Sequence, residues 1–187
     1  MSEGEILFLD LETADAGPDM QLDQYGISIV TVMDQAGDPA FYTDGDLGDY
    51  SLEALAKRIR GADEVVTYNG ANFDIPVIEA TLRSPVPVLK HTDLYQEIDE
   101  TLKSMGVRRT YGKGAWTLDR VCRDTIGEGK LLDDGIYAPM KWREQRYGEV
   151  VTYNFYDVKI TRKLWLFIQE HGYVLDPFGR KIDIQLD

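Results

Sequence analysis

Two carboxylates lie two residues apart at the end of an apolar run near the N-terminus. Residues 5–12 read EILFLDLE, and Asp10 and Glu12 leave the same face if this run is a β-strand. Carboxylates held side by side repel each other unless a cation lies between them, and hard divalent cations prefer oxygen ligands. In a chain with 33 acidic residues a solvated strand end explains this pair, so a metal site needs further acidic residues to support it.

Two later segments supply further acidic residues of the same kind. Asp74 begins a predicted helix, where an acid is also favoured as a simple helix cap. Tyr153 and Asp157 are four residues apart in a predicted helix and therefore share one face, although aromatic packing alone also explains Tyr153. Asp93, by contrast, is expected to be a surface acid or a loop cap.

The order of these segments resembles the DEDD superfamily of 3′-to-5′ exonucleases. The matching motifs are LDLET, NGANFD and YNFYD, and the last of them is typical of the Tyr-containing branch. HTDLY and TLDRVCRDTIGEGK add a similarity to stand-alone bacterial and phage exonucleases related to the proofreading domain of family B DNA polymerases. The resemblance covers about residues 5–170. It implies an RNase H-like fold, which is an α/β fold with a mixed β-sheet flanked by α-helices.

The resemblance also implies hydrolysis of single-stranded DNA or RNA from the 3′ end, with release of nucleoside 5′-monophosphates. Two divalent cations, Mg²⁺ or Mn²⁺, are expected to stabilise the charge on the entering and leaving oxygens. Asp10 is expected to bridge them, with Glu12 and Asp157 on the first cation. Asp74 is expected to hold the second cation directly or through water. Tyr153 is expected to orient the attacking water, since a phenol with a pKa of about 10 is a poor base.

Substrate contacts are predicted at four uncharged residues near the motifs: Leu11, Thr13, Asn69 and Phe73. The resemblance implies that they cradle the terminal nucleotide or touch the strand, whereas Phe73 fits the core of its helix equally well. Two basic stretches with aromatic residues are candidates for guiding a single strand by charge and stacking. They contain Arg108, Arg109, Tyr111, Lys113 and Trp116, and Lys141, Trp142, Arg143 and Arg146. A solvated loop and an amphipathic helix face are the alternatives.

Apolar periodicity predicts the elements that position these residues. Strands are predicted at residues 5–12, 26–33, 39–43, 64–68 and 85–92. Helices are predicted at residues 51–60, 73–82, 94–105, 118–126, 139–147 and 149–169, and a terminal hairpin or strand pair at residues 173–186. This order indicates a single domain over residues 1–187 with a mixed sheet, in which ligands gather at the C-terminal ends of strands.

The composition limits the classes of partner. A net charge of −13 argues against tight non-specific binding of duplex nucleic acid, which normally meets a basic surface. Part of the acidity is expected in the metal site, and the acidic surface is also compatible with a basic protein partner.

No apolar run approaches the roughly 20 residues of a membrane span. A soluble, cytoplasmic protein is therefore expected. Cys122 is the only cysteine, and His91 and His171 do not lie at a zinc-ligand spacing.

Two other functions stay open at this point. The chain is alternatively a binding or regulatory module of a larger assembly, or a structure-specific RNase H-like endonuclease. The complete set of motif acids argues against the first, and the spacings Asn69 to Asp74 and Tyr153 to Asp157 favour an exonuclease over the second. The sequence does not distinguish DNA, RNA and short oligonucleotides, because sugar discrimination depends on the pocket around the 2′ position.

Overall fold

The structure is a computed structural model that describes residues 4–17, 19–43, 50–107, 114–131 and 136–186. Arg108, Arg109, Tyr111 and Lys113 of the first basic stretch lie outside these residues. In the described part, the strands are β1 (Ile6–Thr13), β2 (Ile27–Met33), β3 (Pro39–Thr43), β4 (Tyr50–Ser51), β5 (Glu64–Thr67), β6 (His91–Asp93), β7 (Tyr173–Leu175) and β8 (Lys181–Asp183). The α-helices are α1 (Leu52–Gly61), α2 (Asp74–Leu82), α3 (Leu94–Ser104), α4 (Leu118–Ile126), α5 (Tyr137–Arg143) and α6 (Tyr147–His171).

Six of these strands form one mixed sheet in the order β4-β3-β2-β1-β5-β6. β1 pairs antiparallel with β2 and parallel with β5, and β5 pairs parallel with β6. β7 and β8 form the antiparallel hairpin that was predicted for the C-terminal tail. The predicted α/β fold, with a mixed sheet flanked by helices, is confirmed.

The two faces of β1 lie against different layers of helices. Three leucines of β1 pack in one core with α1 and α2: Leu7, Leu9 and Leu11. Phe8 packs in the other core with α3, α4 and α6, and its ring meets Trp165 edge-on at 5.4 Å between centroids. Asp10 and Glu12 continue the Phe8 face to the end of the strand. The alternation of side chains therefore directs both carboxylates toward α6.

The prediction of a strand over residues 85–92 is wrong for most of its length. The paired segment is only His91–Asp93, which lies beside β5. Pro85 and Pro87 have no N–H groups with which to join a β-ladder, so the apolar residues around them do not form a strand.

The helix boundaries depart from the predictions by a few residues. α5 ends at Arg143 rather than at residue 147, and α6 begins at Tyr147 and runs to His171. The predicted cap of α1 is present, because the Ser51 side chain accepts a hydrogen bond from the Ala54 N–H at 3.3 Å. No helix in the described part of the chain is long and apolar enough to cross a membrane.

Candidate active site

Three carboxylates converge where the C-terminal end of β1 meets α6. Asp10 and Glu12 belong to β1, and Asp157 belongs to α6, which packs across β1 and β2. One carboxylate oxygen from each of the three residues lies within 4.8 Å of the other two. Asp157 is fully buried, whereas Asp10 and Glu12 are half-buried. The structure thus brings together three of the four acids that the motifs singled out.

Asp74 approaches the same strand end from the opposite face of the sheet. It is the first residue of α2, and its Oδ1 accepts a hydrogen bond from the Leu11 N–H at 2.8 Å. This edge of β1 is open because β1 pairs with β5 only over its first residues, Ile6 to Phe8, while it pairs with β2 as far as Thr13. Asp74 is not part of the group within 4.8 Å. The negative charge of Asp74 nevertheless raises the pKa of Asp10.

Asn154 holds the Asp10 carboxylate in place. Its Nδ2 donates a hydrogen bond to Asp10 Oδ2 at 2.7 Å, and its Oδ1 is buried with no hydrogen-bond partner in the described residues. Asn154 lies within the YNFYD motif but was not predicted as a site residue. The signal was present, because Asn154 lies three residues before Asp157 and therefore faces the same way on α6.

Lys130 extends its ammonium group into the acidic group. Its Nζ lies 2.6 Å from Asp157 Oδ2 and 3.5 Å from the Tyr153 hydroxyl. Tyr153 precedes Asp157 by one helical turn, so α6 presents both side chains to Lys130. Lys130 is the last residue of the segment TLDRVCRDTIGEGK, and no role was predicted for it from the sequence. No fixed spacing links a lysine outside regular secondary structure to a distant helix, so only the fold brings them together.

Burial makes the carboxylates of this site difficult to ionise. It raises the pKa of Asp10 well above its ordinary value, and the charges of the neighbouring carboxylates raise this pKa further. Burial and the charge of Asp157 raise the pKa of Glu12 to about 8. Burial also raises the pKa of Asp74 to about 7, although the hydrogen bond from Leu11 opposes the change. Lys130 opposes all three shifts, but one ammonium cannot balance four carboxylates.

The donor set fits a hard divalent cation. The three converging groups are all carboxylates, and oxygen is the ligand atom that Mg²⁺ and Mn²⁺ prefer. A divalent cation would also offset the excess negative charge that raises the pKa values. The site is therefore compatible with metal binding by Asp10, Glu12 and Asp157, with Asp74 as a further carboxylate at the same strand end.

Comparison with known families places the chain by its fold. Residues 7–113, which are more than half of the chain, match the model of the RNase H superfamily. The chain belongs to the RNase H superfamily. The match includes Asp10, Glu12 and Asp74 and ends before α6, which carries Asp157. No curated protein matches the chain.

A solved structure extends the similarity to nearly the whole chain. The chain is similar to the family B DNA polymerase from the hyperthermophilic archaeon Pyrobaculum calidifontis, with a TM-score of 0.63 and 16% identity. The similarity covers 90% of this chain and 24% of the polymerase chain, so this chain spans about a quarter of the polymerase. At this identity the similarity shows the fold alone. The RNase H-like fold that the motifs implied is confirmed, and membership of the superfamily supports nuclease activity.

The four residues predicted to contact substrate lie in different settings. Leu11 is buried in the core on the α1 and α2 side, and Thr13 is buried with its hydroxyl donating to a backbone carbonyl at 2.7 Å. Asn69 is exposed in the turn before α2, with a left-handed φ of 67°. Phe73 is half-buried, and its ring meets Tyr25 edge-on at 5.4 Å. Asn69 and Phe73 thus offer more surface to a ligand, and substrate contact stays a prediction for all four.

Asp93 fixes the turn that leads to α2. Its carboxylate accepts hydrogen bonds from the Asn69 N–H at 2.8 Å, the Ala71 N–H at 2.9 Å and the Tyr95 N–H at 3.0 Å. The last of these caps α3. Asp93 is therefore a cap, which was one of its two predicted roles, and not a surface acid, since it is only 2% exposed. It is not among the three acids that converge at the end of β1.

The second basic stretch is largely neutralised by nearby acids. The ion pairs are Lys141 with Glu144, Arg143 with Asp15, and Arg146 with Glu149. Trp142 packs edge-on against Tyr147 at 4.6 Å between centroids. In the first stretch, the carbonyl of the half-buried Trp116 accepts a hydrogen bond from the Tyr68 hydroxyl at 2.7 Å. These contacts favour an amphipathic helix face at the end of α5 and a neutralised turn at Arg146 over a surface that guides a strand.

A small cavity lies beside Tyr153. Its volume is about 150 Å³, and it is lined by Leu131, Tyr137, Glu149, Thr152 and Tyr153. The rings of Tyr137 and Tyr153 lie 5.6 Å apart between centroids. The cavity therefore gives the acidic group a neighbouring space with aromatic walls.

Proposed function

We propose that this chain is a metal-dependent 3′-to-5′ exonuclease. It would hydrolyse the terminal phosphodiester bond of single-stranded DNA or RNA and release nucleoside 5′-monophosphates. The observation that supports this most strongly is the convergence of Asp10, Glu12 and Asp157 within 4.8 Å in a member of the RNase H superfamily. Asp74 and Tyr153 lie beside this group and complete the set of residues on which the motif resemblance rests.

The carboxylates supply the ligands in this proposal. Asp10 is central, because one of its oxygens lies within 4.8 Å of oxygens of both Glu12 and Asp157, and its pKa responds to the charge of Asp74 as well. When bound, two divalent cations such as Mg²⁺ or Mn²⁺ would stabilise the negative charge that develops on the entering and leaving oxygens of the phosphodiester. Asn154 fixes one oxygen of Asp10 by its 2.7 Å hydrogen bond, which leaves the direction of that carboxylate defined.

Tyr153 is suited to orient a water molecule rather than to remove its proton. Burial raises the pKa of its hydroxyl above the ordinary value, although Lys130 opposes the shift. The phenol therefore stays protonated at neutral pH and can both donate and accept a hydrogen bond. Its position one turn before Asp157 places it at the edge of the acidic group.

Lys130 adds a fixed positive charge at the reaction site. Burial acts to lower the pKa of its ammonium group, but the charges of Asp157 and Asp10 outweigh burial and raise the pKa above the ordinary value. Lys130 is therefore charged throughout the neutral range. A fixed charge that is already in place stabilises the negative charge of a transition state without a reorganisation cost.

The terminal nucleotide has room at the two ends of this centre. Phe73 and Asn69 lie on the turn before Asp74, and the cavity beside Tyr153 lies on the α6 side. We assign Phe73 to stacking against a base, Asn69 to a contact with the strand, and Thr13 at the end of β1 to a further contact with the terminal nucleotide. Phe73 is half-buried and its ring packs at 84° to that of Tyr25, so part of the ring is available for stacking.

The test is digestion of 3′- and 5′-labelled single-stranded DNA and RNA by the purified chain with Mg²⁺, Mn²⁺ or EDTA. Asp10→Asn removes one charge from the centre and keeps an oxygen to accept the Asn154 hydrogen bond. Glu170→Gln is the matched control, because Glu170 is 77% exposed and lies thirteen residues beyond Asp157 on the same helix. We expect metal-dependent shortening from the 3′ end by the wild type and Glu170→Gln, and none by Asp10→Asn.

Three outcomes would contradict the proposal in different ways. Cutting of a circular single strand would replace the exonuclease with a structure-specific endonuclease of the same superfamily. Metal-dependent binding of labelled strands with no digestion by the wild type would indicate a binding module. Equal digestion by the wild type and Asp10→Asn would show that the acidic group at the end of β1 is not the active site.

A further inference from the structure

The segment that carries Lys130 has no regular secondary structure of its own. Residues 127–131 follow α4 and belong to neither a helix nor a strand, yet they deliver an ammonium group to within 2.6 Å of Asp157. A lysine side chain has four rotatable bonds and loses much conformational freedom when it is fixed. Another part of the fold must therefore hold the backbone of Lys130.

Asp119, in the first turn of α4, makes that contact. Its Oδ1 accepts a hydrogen bond from the Lys130 N–H at 2.7 Å, and Asp119 is only 9% exposed. A charged acceptor makes this hydrogen bond stronger than a neutral one. The bond joins α4 directly to the residue whose side chain enters the acidic group.

Arg123 fixes the direction of the Asp119 carboxylate. Its Nε donates to Asp119 Oδ1 at 2.9 Å and to Oδ2 at 2.8 Å, one helical turn away on α4. An Nη of Arg123 also donates to the Lys130 carbonyl at 3.5 Å. The pair thus contacts the Lys130 backbone at both its N–H and its C=O.

Gly129 allows the backbone to lie against this pair. A Cβ atom at Gly129 would lie 2.5 Å from Arg123 Nε and 2.5 Å from Asp119 Oδ1. Any side chain there would displace either the ion pair or the backbone of Lys130. This close approach is independent of the hydrogen bonds, and it places the same two side chains under the same segment.

We propose that Asp119, held by Arg123, is a positioning residue that places the Lys130 ammonium among the carboxylates. The inference rests on the proposed function, since it concerns the reaction at that site. Asp119 itself does not touch the acidic group. It acts through Lys130, so its removal has no consequence for catalysis once Lys130 is absent.

The kinetic test uses a double-mutant cycle on labelled single-stranded DNA with Mg²⁺ or Mn²⁺. Asp119→Ala is expected to lower kcat by about 10- to 100-fold with little change in KM, as for other groups that orient a ligand of an active centre. It is expected to add nothing further in a Lys130→Ala background. Asp124→Ala is the matched control, because Asp124 pairs with Arg120 on the exposed face of the same helix and is expected to keep wild-type kcat.

A second variant keeps the test informative if Asp119→Ala does not fold. Gly129→Ala keeps both members of the pair but forces either the pair or the Lys130 backbone to shift, so that their contact is disturbed, and the φ of Gly129 does not require glycine. It is expected to reproduce the loss of kcat, again only when Lys130 is present. If either variant lowers the activity of Lys130→Ala by the same factor as that of the wild type, the role of Asp119 is structural and the inference is wrong.

A chemical readout separates this inference from the proposed function. The Lys130 and Lys103 side chains are both ion-paired, but that of Lys130 is 22% exposed, whereas that of Lys103 on α3 is 52% exposed. In acetylation followed by peptide mass spectrometry, the ratio of Lys130 to Lys103 labelling is expected to rise in Asp119→Ala and not in Asp124→Ala. An unchanged ratio overturns the inference whether or not the chain digests nucleic acid. A raised ratio with an inactive wild type supports the positioning of Lys130 and overturns the exonuclease instead.

Discussion

Replacing Glu12 by Gln tests whether the acidic group destabilises the fold when no cation is bound. Burial and the charge of Asp157 raise the pKa of Glu12 from 4.5 to about 8. A group whose pKa is raised in the folded state contributes stability that is complete below its unfolded pKa and lost as the pH rises through its folded pKa. In a chelator, the wild type is therefore expected to lose stability as the pH rises from 4.5 to above 8, and Glu12→Gln is expected to lose less.

The size of the expected stability difference follows from the change in the pKa of Glu12. Each pKa unit corresponds to about 1.4 kcal/mol, so the span from 4.5 to about 8 sets an upper limit of about 5 kcal/mol. Glu12 is half-buried, and its neighbours titrate with it. We therefore expect Glu12→Gln to exceed the wild type by about 1–3 kcal/mol in free energy of unfolding above pH 8. The two proteins are expected to be equally stable near the unfolded pKa.

The assay is urea unfolding in EDTA at about pH 5 and about pH 9, on either side of the titration. Adding Mg²⁺ or Mn²⁺ is expected to stabilise the wild type more than Glu12→Gln, because a ligand stabilises the state that binds it. Glu170→Gln makes the same chemical change at a side chain that is 77% exposed and is expected to show no such pH dependence. A gain from Glu12→Gln of equal size at both pH values, or a similar gain in Glu170→Gln, would refute the reasoning.

Three further substitutions test separate parts of the site. Lys130→Ala removes the ammonium group 2.6 Å from Asp157 and is expected to lower kcat by about 100-fold in single-strand digestion; a decrease below threefold would exclude charge stabilisation by this residue. Asn154→Ala removes the 2.7 Å donor to Asp10 and is expected to lower the free energy of unfolding by about 1–3 kcal/mol in urea, so an unchanged midpoint would contradict the assigned contact. Ser51→Ala removes a helix cap far from these residues and is expected to cost about 1 kcal/mol in the same assay while leaving kcat unchanged. A decrease in the kcat of Ser51→Ala would mean that a loss of stability alone lowers kcat.

Local patterns predicted the strand that carries the first two acids. The alternation in residues 5–12 directs Asp10 and Glu12 to one face, and the structure places both carboxylates toward α6. The cap of α1 by Ser51 and the hairpin of the tail were equally accessible, because both depend on neighbours within a few residues. The strand expected over residues 85–92 failed where prolines remove the N–H donors that the apolar pattern does not register.

Local sequence patterns did not predict how the charges of the site are balanced. Lys130 reaches Asp157 only because α4 and α6 pack side by side, and the backbone of Lys130 is fixed by Asp119 rather than by its own sequence. The position of Asp74 depends on β5 ending before β1 does, which leaves the Leu11 N–H open to its carboxylate. Such contacts depend on the relative lengths of strands and on helix packing. The periodicity of apolar residues in a short segment predicts neither.

The acidic character of the chain bears on the kind of nucleic acid that the proposed exonuclease would attack. A basic field that follows many phosphates gives tight and strongly salt-dependent binding of duplexes. The cations on and beside α5 do not supply such a field, since Lys141, Arg143 and Arg146 each lie in an ion pair with an acid. In the proposed exonuclease, the centre itself would attract phosphate through bound divalent cations and Lys130. A centre of this kind engages the few phosphates next to a strand end and leaves the rest of the polymer in solvent. The net charge of −13 that argues against duplex binding is therefore consistent with hydrolysis at a single-stranded end.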